Sequence, residues 1–178
     1  MKNETVIACR RGGLWCSIAA ALLFAIPADG QTTGFSIVVS APSLSCSTAA
    51  GTGAFAALSW SIGAQNNGNA ASRDRAVSST LGPLHVAKAL DACTPVLFGD
   101  VVTGRVIPAL TLTQSSGGIP ILTVKLTNAI ATSDQLGGNA ASAPEEMVSF
   151  GYSRISITNN ASGTTFCWDV ATQTSCSS

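Results

Sequence analysis

The chain has 178 residues, nine Lys plus Arg against nine Asp plus Glu, and only 10% charged residues, where soluble domains usually carry about 25%. Ser and Thr, 22 and 18 residues, supply much of the missing polarity. A neutral chain without a basic stripe is not built to neutralise phosphates, which excludes nucleic acid as an expected partner. An apolar content of 46% without charge blocks excludes a disordered tail.

Residues 1–30 read as a signal peptide. Lys2, Arg10 and Arg11 form a positive start, Leu14 to Ala28 is an uncharged apolar run, and Ala28, Asp29 and Gly30 place cleavage before Gln31. The run falls short of the roughly 20 apolar residues that span a bilayer. No later segment approaches that length, so no transmembrane segment is expected to be retained. The mature chain, residues 31–178, is expected to be one exported domain, periplasmic or extracellular. It keeps Arg73, Arg75, Lys88, Arg105, Lys125 and Arg154 against Asp74, Asp91, Asp100, Asp134, Glu145, Glu146 and Asp169.

In chain order, the first strand is expected at Phe35, Ile37 and Val39, which alternate with Ser36 and Val38. A second follows at Leu58, Trp60 and Ile62. Residues 63–83 read as a long Gly, Asn, Ala and Ser loop around Arg73, Asp74 and Arg75, and loops of that length are usually functional or mobile. A strand from Leu84 to Leu90 places His85 opposite Leu84, Val86 and Leu90. One helix is expected, with Thr94 as N-cap, Pro95 in the first helical position and Gly104 as the stop. Leu97, Phe98, Val101 and Val102 would share its buried face.

Leu110 and Leu112, then Leu122, Val124 and Leu126, alternate with hydroxyl residues, and Ser115 to Gly118 suits a hairpin turn between them. Residues 137–144 read as a second, shorter loose stretch. Beyond it, apolar residues occupy even positions through Val148, Phe150 and Tyr152, then odd ones at Ile155 and Ile157. Such a phase change requires a bulge, or a strand that bends from one packing partner to another. The fold class is mainly β.

The mature chain has four cysteines, and in an oxidising compartment four permit three disulfide connectivities. Cys167 and Cys176 are close enough in sequence to staple the tail, which leaves Cys46 with Cys93; free thiols are the alternative. No CxxC occurs and His85 is the only histidine, so a zinc site is not expected. His85 is also the sole imidazole available to activate a nucleophile. Glu145 and Glu146 are adjacent and would point to opposite faces of a strand. Asp91, Asp100, Asp134 and Asp169 are scattered, and no phosphate-cradling glycine motif is present. An enzyme is not expected, and no cofactor or metal is implied.

The order of these pieces resembles the Hcp proteins of type VI secretion. The run His85-Val86-Ala87-Lys88-Ala89-Leu90-Asp91-Ala92-Cys93-Thr94-Pro95-Val96-Leu97-Phe98, followed by Gly104, is similar to that family's strand-into-helix segment. Ser59-Trp60-Ser61 looks like its second strand, and the long loop after it has a counterpart. Leu110 to Thr113 and Leu122 to Ala129 look like later strands, Glu146 to Ile157 like its long final strand, and Cys167-Trp168-Asp169-Val170 like a "Trp-Asp" turn. The resemblance covers about Gly34 to Val170.

It implies an Hcp-like β-barrel of two packed antiparallel sheets with one short flanking helix. The partner it implies is the chain itself, as a homohexameric ring. Rings of that family stack into the tube of a contractile secretion machine and carry or chaperone effectors, with spike and effector proteins as further partners. By the same resemblance the loop containing Asn67, Arg73, Asp74 and Arg75 would contact the next ring. The leader and the cysteines depart from the family pattern. They support an alternative reading as an exported, disulfide-stabilised β-barrel binding module at the cell surface or outside the cell.

Overall fold

The computed structural model describes residues 34–66 and 79–177; the expected leader and its cleavage point lie outside them. The first strands are β1 (Phe35–Ser40), β2 (Ser47–Thr48), β3 (Gly51–Thr52), β4 (Ala54–Ala57), β5 (Ser59–Ser61), β6 (Ala64–Asn66), β7 (Ser79–Leu81) and β8 (Leu84–Ala89). After helix α1 (Thr94–Thr103) come β9 (Val106–Ser116), β10 (Ile119–Asn139), β11 (Ser142–Gly151), β12 (Arg154–Asn159), β13 (Thr164–Asp169) and β14 (Thr174–Ser175). The expected mainly β class, with antiparallel sheets and one helix, is what forms.

The long strand β10 organises the barrel. One of its edges pairs with β9, from Ile119 opposite Ser116 to Ile130 opposite Val106. Its other edge pairs with β12 over Leu122–Thr127 and then with β11 over Ile130–Asn139. Outward from β9 the ladder runs through β1 to β4, and outward from β11 through β8 to β5. Because β4 and β5 are consecutive, and the N–H of Leu58 between them donates to Ala87 O at 2.8 Å, the ladder closes on itself. Strands β13 and β14 extend the sheet beyond β12.

Side chains pointing into this closure form the core: Val39, Phe55, Leu84, Val86, Leu97, Ile107, Leu110, Leu112, Val124, Leu126, Val148, Phe150 and Ile155 are all buried. Each contributes about 1.5–3 kcal/mol through removal of its surface from water. The alternation at 110–112, 124–126 and 148–150 therefore reads the true inner face. The first two expected strands form, and the inward placing of Phe35 and Leu58 is corrected. Phe35 is 72% exposed, because the start of β1 lies beside the far end of β9, opposite Ser116 and past the core. Leu58 also faces out, and Phe55 takes the core position. The chain changes partner from β1 to β8 at Leu58, so its inward parity changes there too.

The phase change near residue 152 has a matching one across the ladder. Buried positions in β10 move from Val124 and Leu126 to Ala129 and Ala131, with Asn128 between them at φ 49°. Opposite, the chain breaks at Tyr152–Ser153, where both Ser153 N–H and Ser153 Oγ donate to Thr127 O, at 3.1 and 3.0 Å. Glu146 to Ile157 is thus two strands, β11 and β12, rather than one. Both follow β10, while their outer partner changes from β8 to β13.

The two expected loose stretches are corrected as well. Residues 64–66 and 79–81 pair as the stem of a hairpin, from Ala64 opposite Leu81 to Asn66 opposite Ser79. Residues 137–144 lie largely in β10 and β11, which meet at Asn139 opposite Ser142; Asn139 Oδ1 accepts the N–H groups of Ala141 and Ser142 at 2.8 and 3.0 Å. The β9–β10 turn is Gly117–Gly118, at φ 56° and 80°, a conformation that favours glycine at both positions. The segment expected as a "Trp-Asp" turn is strand β13 up to Asp169. Its turn follows, held by Asp169 Oδ1 accepting Ala171 and Thr172 N–H, both at 3.0 Å.

Helix α1 starts at its expected cap residue, one position earlier than expected. Cys93 occupies the N-cap and makes no side-chain cap bond, while Thr94 is already helical. Gly104 ends the helix at φ 64°, as expected. The buried face is Thr94, Leu97 and Asp100, whereas Phe98 and Val102 are exposed. Two polar residues take inward positions because each has a hydrogen-bond partner: Thr94 reaches the buried Lys88 ammonium and Asp100 accepts from the part-exposed Arg105 Nη2 at 3.1 Å.

Candidate functional site

The cysteines meet as two disulfides, Cys46–Cys93 with S–S 2.04 Å and Cys167–Cys176 with S–S 1.96 Å. The first is buried and ties the segment between β1 and β4 to the start of α1. The second bridges β13 to the end of the chain. Asn67, Arg73, Asp74 and Arg75 lie outside the described residues, and their hairpin stem is described.

His85 projects outward from β8, as alternation requires, and its Nδ1 lies 2.8 Å from Ser149 Oγ. Among the described residues the imidazole has a hydroxyl neighbour but no carboxylate that orients it. Among the described residues no group of three or more His, Cys, Asp or Glu side chains is placed to hold a metal ion.

Four groups that look unrelated in the sequence converge at the mouth of the core. Lys88, on the inner face of β8, is 0% exposed and stands opposite Glu146 of β11, which is 1% exposed. Lys88 Nζ lies 2.7 Å from Glu146 Oε2, 2.9 Å from Asp91 Oδ1 and 3.0 Å from Thr94 Oγ1. Thr94 Oγ1 in turn donates to Glu146 Oε2 and accepts Asp91 N–H at 3.1 Å. The Phe55 ring lies under the ammonium, with its centroid 5.4 Å from Nζ.

Asp134 of β10 completes the cluster. Its two oxygens and Glu146 Oε1 are buried without a donor from another side chain. The two carboxyls face each other, and a proton carried by Asp134 is the bond available to them. Burial, then the Glu146 charge, push the Asp134 pKa up from 3.8 to about 6, while Lys88 pulls the other way. A carboxyl whose pKa is raised on folding stabilises the fold in its protonated form. That contribution is complete below pH 3.8 and is lost as pH rises through about 6. The Asp134 carboxyl carbon, followed by NMR against pH, should titrate near pH 6; a midpoint near 3.8 would show a solvated side chain.

Glu145 and Glu146 do diverge as expected, one outward and one inward. The cluster itself was missed, although alternation carried a signal for it. Lys88 shares parity with Leu84 and Val86, and Glu146 with Val148 and Phe150.

Among the described residues the outer surface offers no comparable charge cluster. Lys125, Thr127, Arg154, Ser156, Thr158, Thr165 and Cys167 line a shallow polar depression on β10, β12 and β13. Arg154 Nη2 donates to Asp169 Oδ2 at 3.1 Å. Large apolar side chains stand exposed around the barrel, among them Phe35, Leu58, Phe98, Val102, Ile119 and Phe166. Single exposed apolar residues are ordinary on a folded domain. Among the described residues no helix is long and apolar enough to cross a membrane.

The family described as "Type VI secretion system effector, Hcp" has a model that matches residues 45–158. No curated protein matches the chain. Solved structures share the fold: Hcp1 from Salmonella typhimurium, 16% identical, aligns over 80% of this chain and 99% of its own with a TM-score of 0.69. A type VI secretion system effector from Yersinia pestis, 16% identical, aligns over 75% and 99% with a TM-score of 0.63. The secreted protein Hcp3 from Pseudomonas aeruginosa, 15% identical, aligns over 76% and 96% with a TM-score of 0.56.

Proposed function

Because the chain belongs to the Hcp family of type VI secretion proteins, we propose that its mature form assembles into homohexameric rings that stack as a tube subunit and carry effectors. The observation that carries this reading is the family match over residues 45–158. The closed barrel with its flanking helix, low charge and exposed apolar side chains supports a protein that works through its surfaces. Spike and effector proteins are the further partners of this reading, and the subunit performs no catalysis.

The loop containing Asn67, Arg73, Asp74 and Arg75 is assigned to the contact with the next ring. Its stem, β6 and β7, supports this by bringing both ends of the segment together in a paired hairpin base. The chain is exported after cleavage before Gln31, and its two disulfides support an oxidising compartment. Those bonds also favour a second reading, an exported binding module at the cell surface or outside the cell that keeps the barrel without the ring.

The native mass of residues 31–178, made under oxidising conditions, separates the two. A hexamer is expected, and deletion of residues 67–71 should leave the hexamer intact while preventing stacks. A monomer would remove the tube reading and favour the binding module. Normal stacks from the deleted form would remove the loop from the ring contact.

A further inference from the structure

The buried cluster holds an amine and a carboxyl in contact, out of reach of water. Lys88 Nζ and Glu146 Oε2 are 2.7 Å apart with both side chains at zero exposure, on directly opposed positions of neighbouring strands. A dry setting offers an ion pair little solvation. It also withholds the water that would hydrolyse an amide. Enforced contact of this kind raises the effective concentration of one reactant at the other to about 10⁵ M or more.

Every other group in the cluster has a position that suits condensation. Asp91 Oδ1, 2.9 Å from Nζ, is placed to take a proton from the ammonium. Thr94 Oγ1 donates to Glu146 Oε2, where charge would develop on the carbonyl oxygen. Glu146 Oε1 has no donor from another side chain and faces the buried carboxyl of Asp134. Phe55 covers the amine. We propose that Lys88 and Glu146 condense into an intramolecular amide that cross-links β8 to β11.

The step balances without an outside reagent. Asp91 takes one proton from Lys88 Nζ, and Asp134 gives its proton to Glu146 Oε1. The Nζ lone pair attacks Glu146 Cδ, forming the C–N bond, while Thr94 holds the charge on Oε2. Asp91, having passed its first proton to solvent, takes the second from the nitrogen, and Asp134, part-buried and recharged from solvent, gives a second proton to Oε1, which leaves as water when its C–O bond breaks. Asp91, at the edge of the cluster, releases that proton to solvent. The sum is one ammonium and one carboxylate converted to one amide and one water, with no change in oxidation state. In the product the amide oxygen keeps its Thr94 donor and the amide N–H keeps Asp91 as acceptor, while Thr94 Oγ1 gives up its Lys88 donor and Asp134 its Glu146 partner. The oxygen that lacked a donor is the one expelled.

Mass spectrometry of the purified chain, reduced and denatured, tests this. The expected result is a mass about 18 Da below that of its own sequence, one water. Trypsin should fail to cut after Lys88 and should release residues 76–105 joined to residues 126–154. Asp134→Ala, checked for folding by circular dichroism, should retain the full sequence mass, because the proton donor to Oε1 is gone. A parent protein of full mass that is cut after Lys88 overturns the proposal, as does a water loss mapped to any other residue. Loss of water by the Asp134→Ala form overturns the role given to that acid.

Discussion

Lys88→Met should cost the fold about 3–5 kcal/mol, because it leaves buried carboxyl groups facing one another without their cation. Domains of this size are stable by only about 5–15 kcal/mol, so the variant should be near its unfolding midpoint or be recovered unfolded. Glu146 has no exposed route to solvent, Asp134 already resists ionisation, and only Asp91 can turn outward. Lys88→Met combined with Glu146→Met removes both members of the central pair. It should recover more than half of the loss, since a matched apolar pair tolerates burial better than an orphaned charge. Urea unfolding of the parent, the single variant and the double variant measures this. A single variant within about 0.5 kcal/mol of the parent would show that water reaches the cluster. The sign of the effect is the same whether the pair is ionic or joined as the amide.

Replacing both Cys46 and Cys93 by Ala should cost about 4 kcal/mol, because their bond closes a chain segment with a sequence separation of 47 and so restricts the unfolded state strongly. Replacing both Cys167 and Cys176, with a separation of 9, should cost about 2.5 kcal/mol on the same basis. Packing adds to the contrast. Cys93 is fully buried at the N-cap of α1 and Cys46 is nearly so, whereas β14 and the residues after it are largely exposed. The first pair therefore secures the β1–β4 connection against the helix that follows β8, and the second secures an end of the chain. Equal losses for the two pairs would show that the β1–β4 connection is held by its core side chains, Leu44 and Phe55, rather than by the bond.

The closed barrel explains which parts of the chain could be read in advance. Leu110, Leu112, Val124, Leu126, Val148 and Phe150 alternate with polar residues in strands that keep the same pairing edge, and for them a period of two is enough. The misread positions lie where a strand changes partner. Phe35 runs past the core and Leu58 sits at the transfer from β1 to β8, whereas the partner change expected at Tyr152 is the one that forms, from β8 to β13. At such corners inward parity switches, and an apolar residue no longer marks the inside. The helix was misread for a related reason: Phe98 and Val102 gave an apolar face, but buried hydrogen bonds drew Thr94 and Asp100 inward instead.

The candidate site was less legible than the fold. Asp91, Asp134 and Glu146 are far apart in sequence, and charged residues ordinarily stay in water. Asp91 meets Lys88 locally, three residues on, and the pairing of β8 with β11, and of β11 with β10, brings Glu146 and Asp134 to the same ammonium.

The order and type of the residues determined a mainly β chain with one short helix, the apolar faces of its central strands, the glycine turn at Gly117–Gly118 and the resemblance to the Hcp proteins. These depend on local alternation, turn chemistry and spacing, which act within a few residues. The tertiary structure alone decided barrel closure through β4 and β5, the corners where parity switches, the seat of Phe55 and the convergence of Lys88, Glu146, Asp91 and Asp134. Those depend on which distant strands meet, and contacts between distant strands are set by the whole barrel rather than by any segment's own pattern.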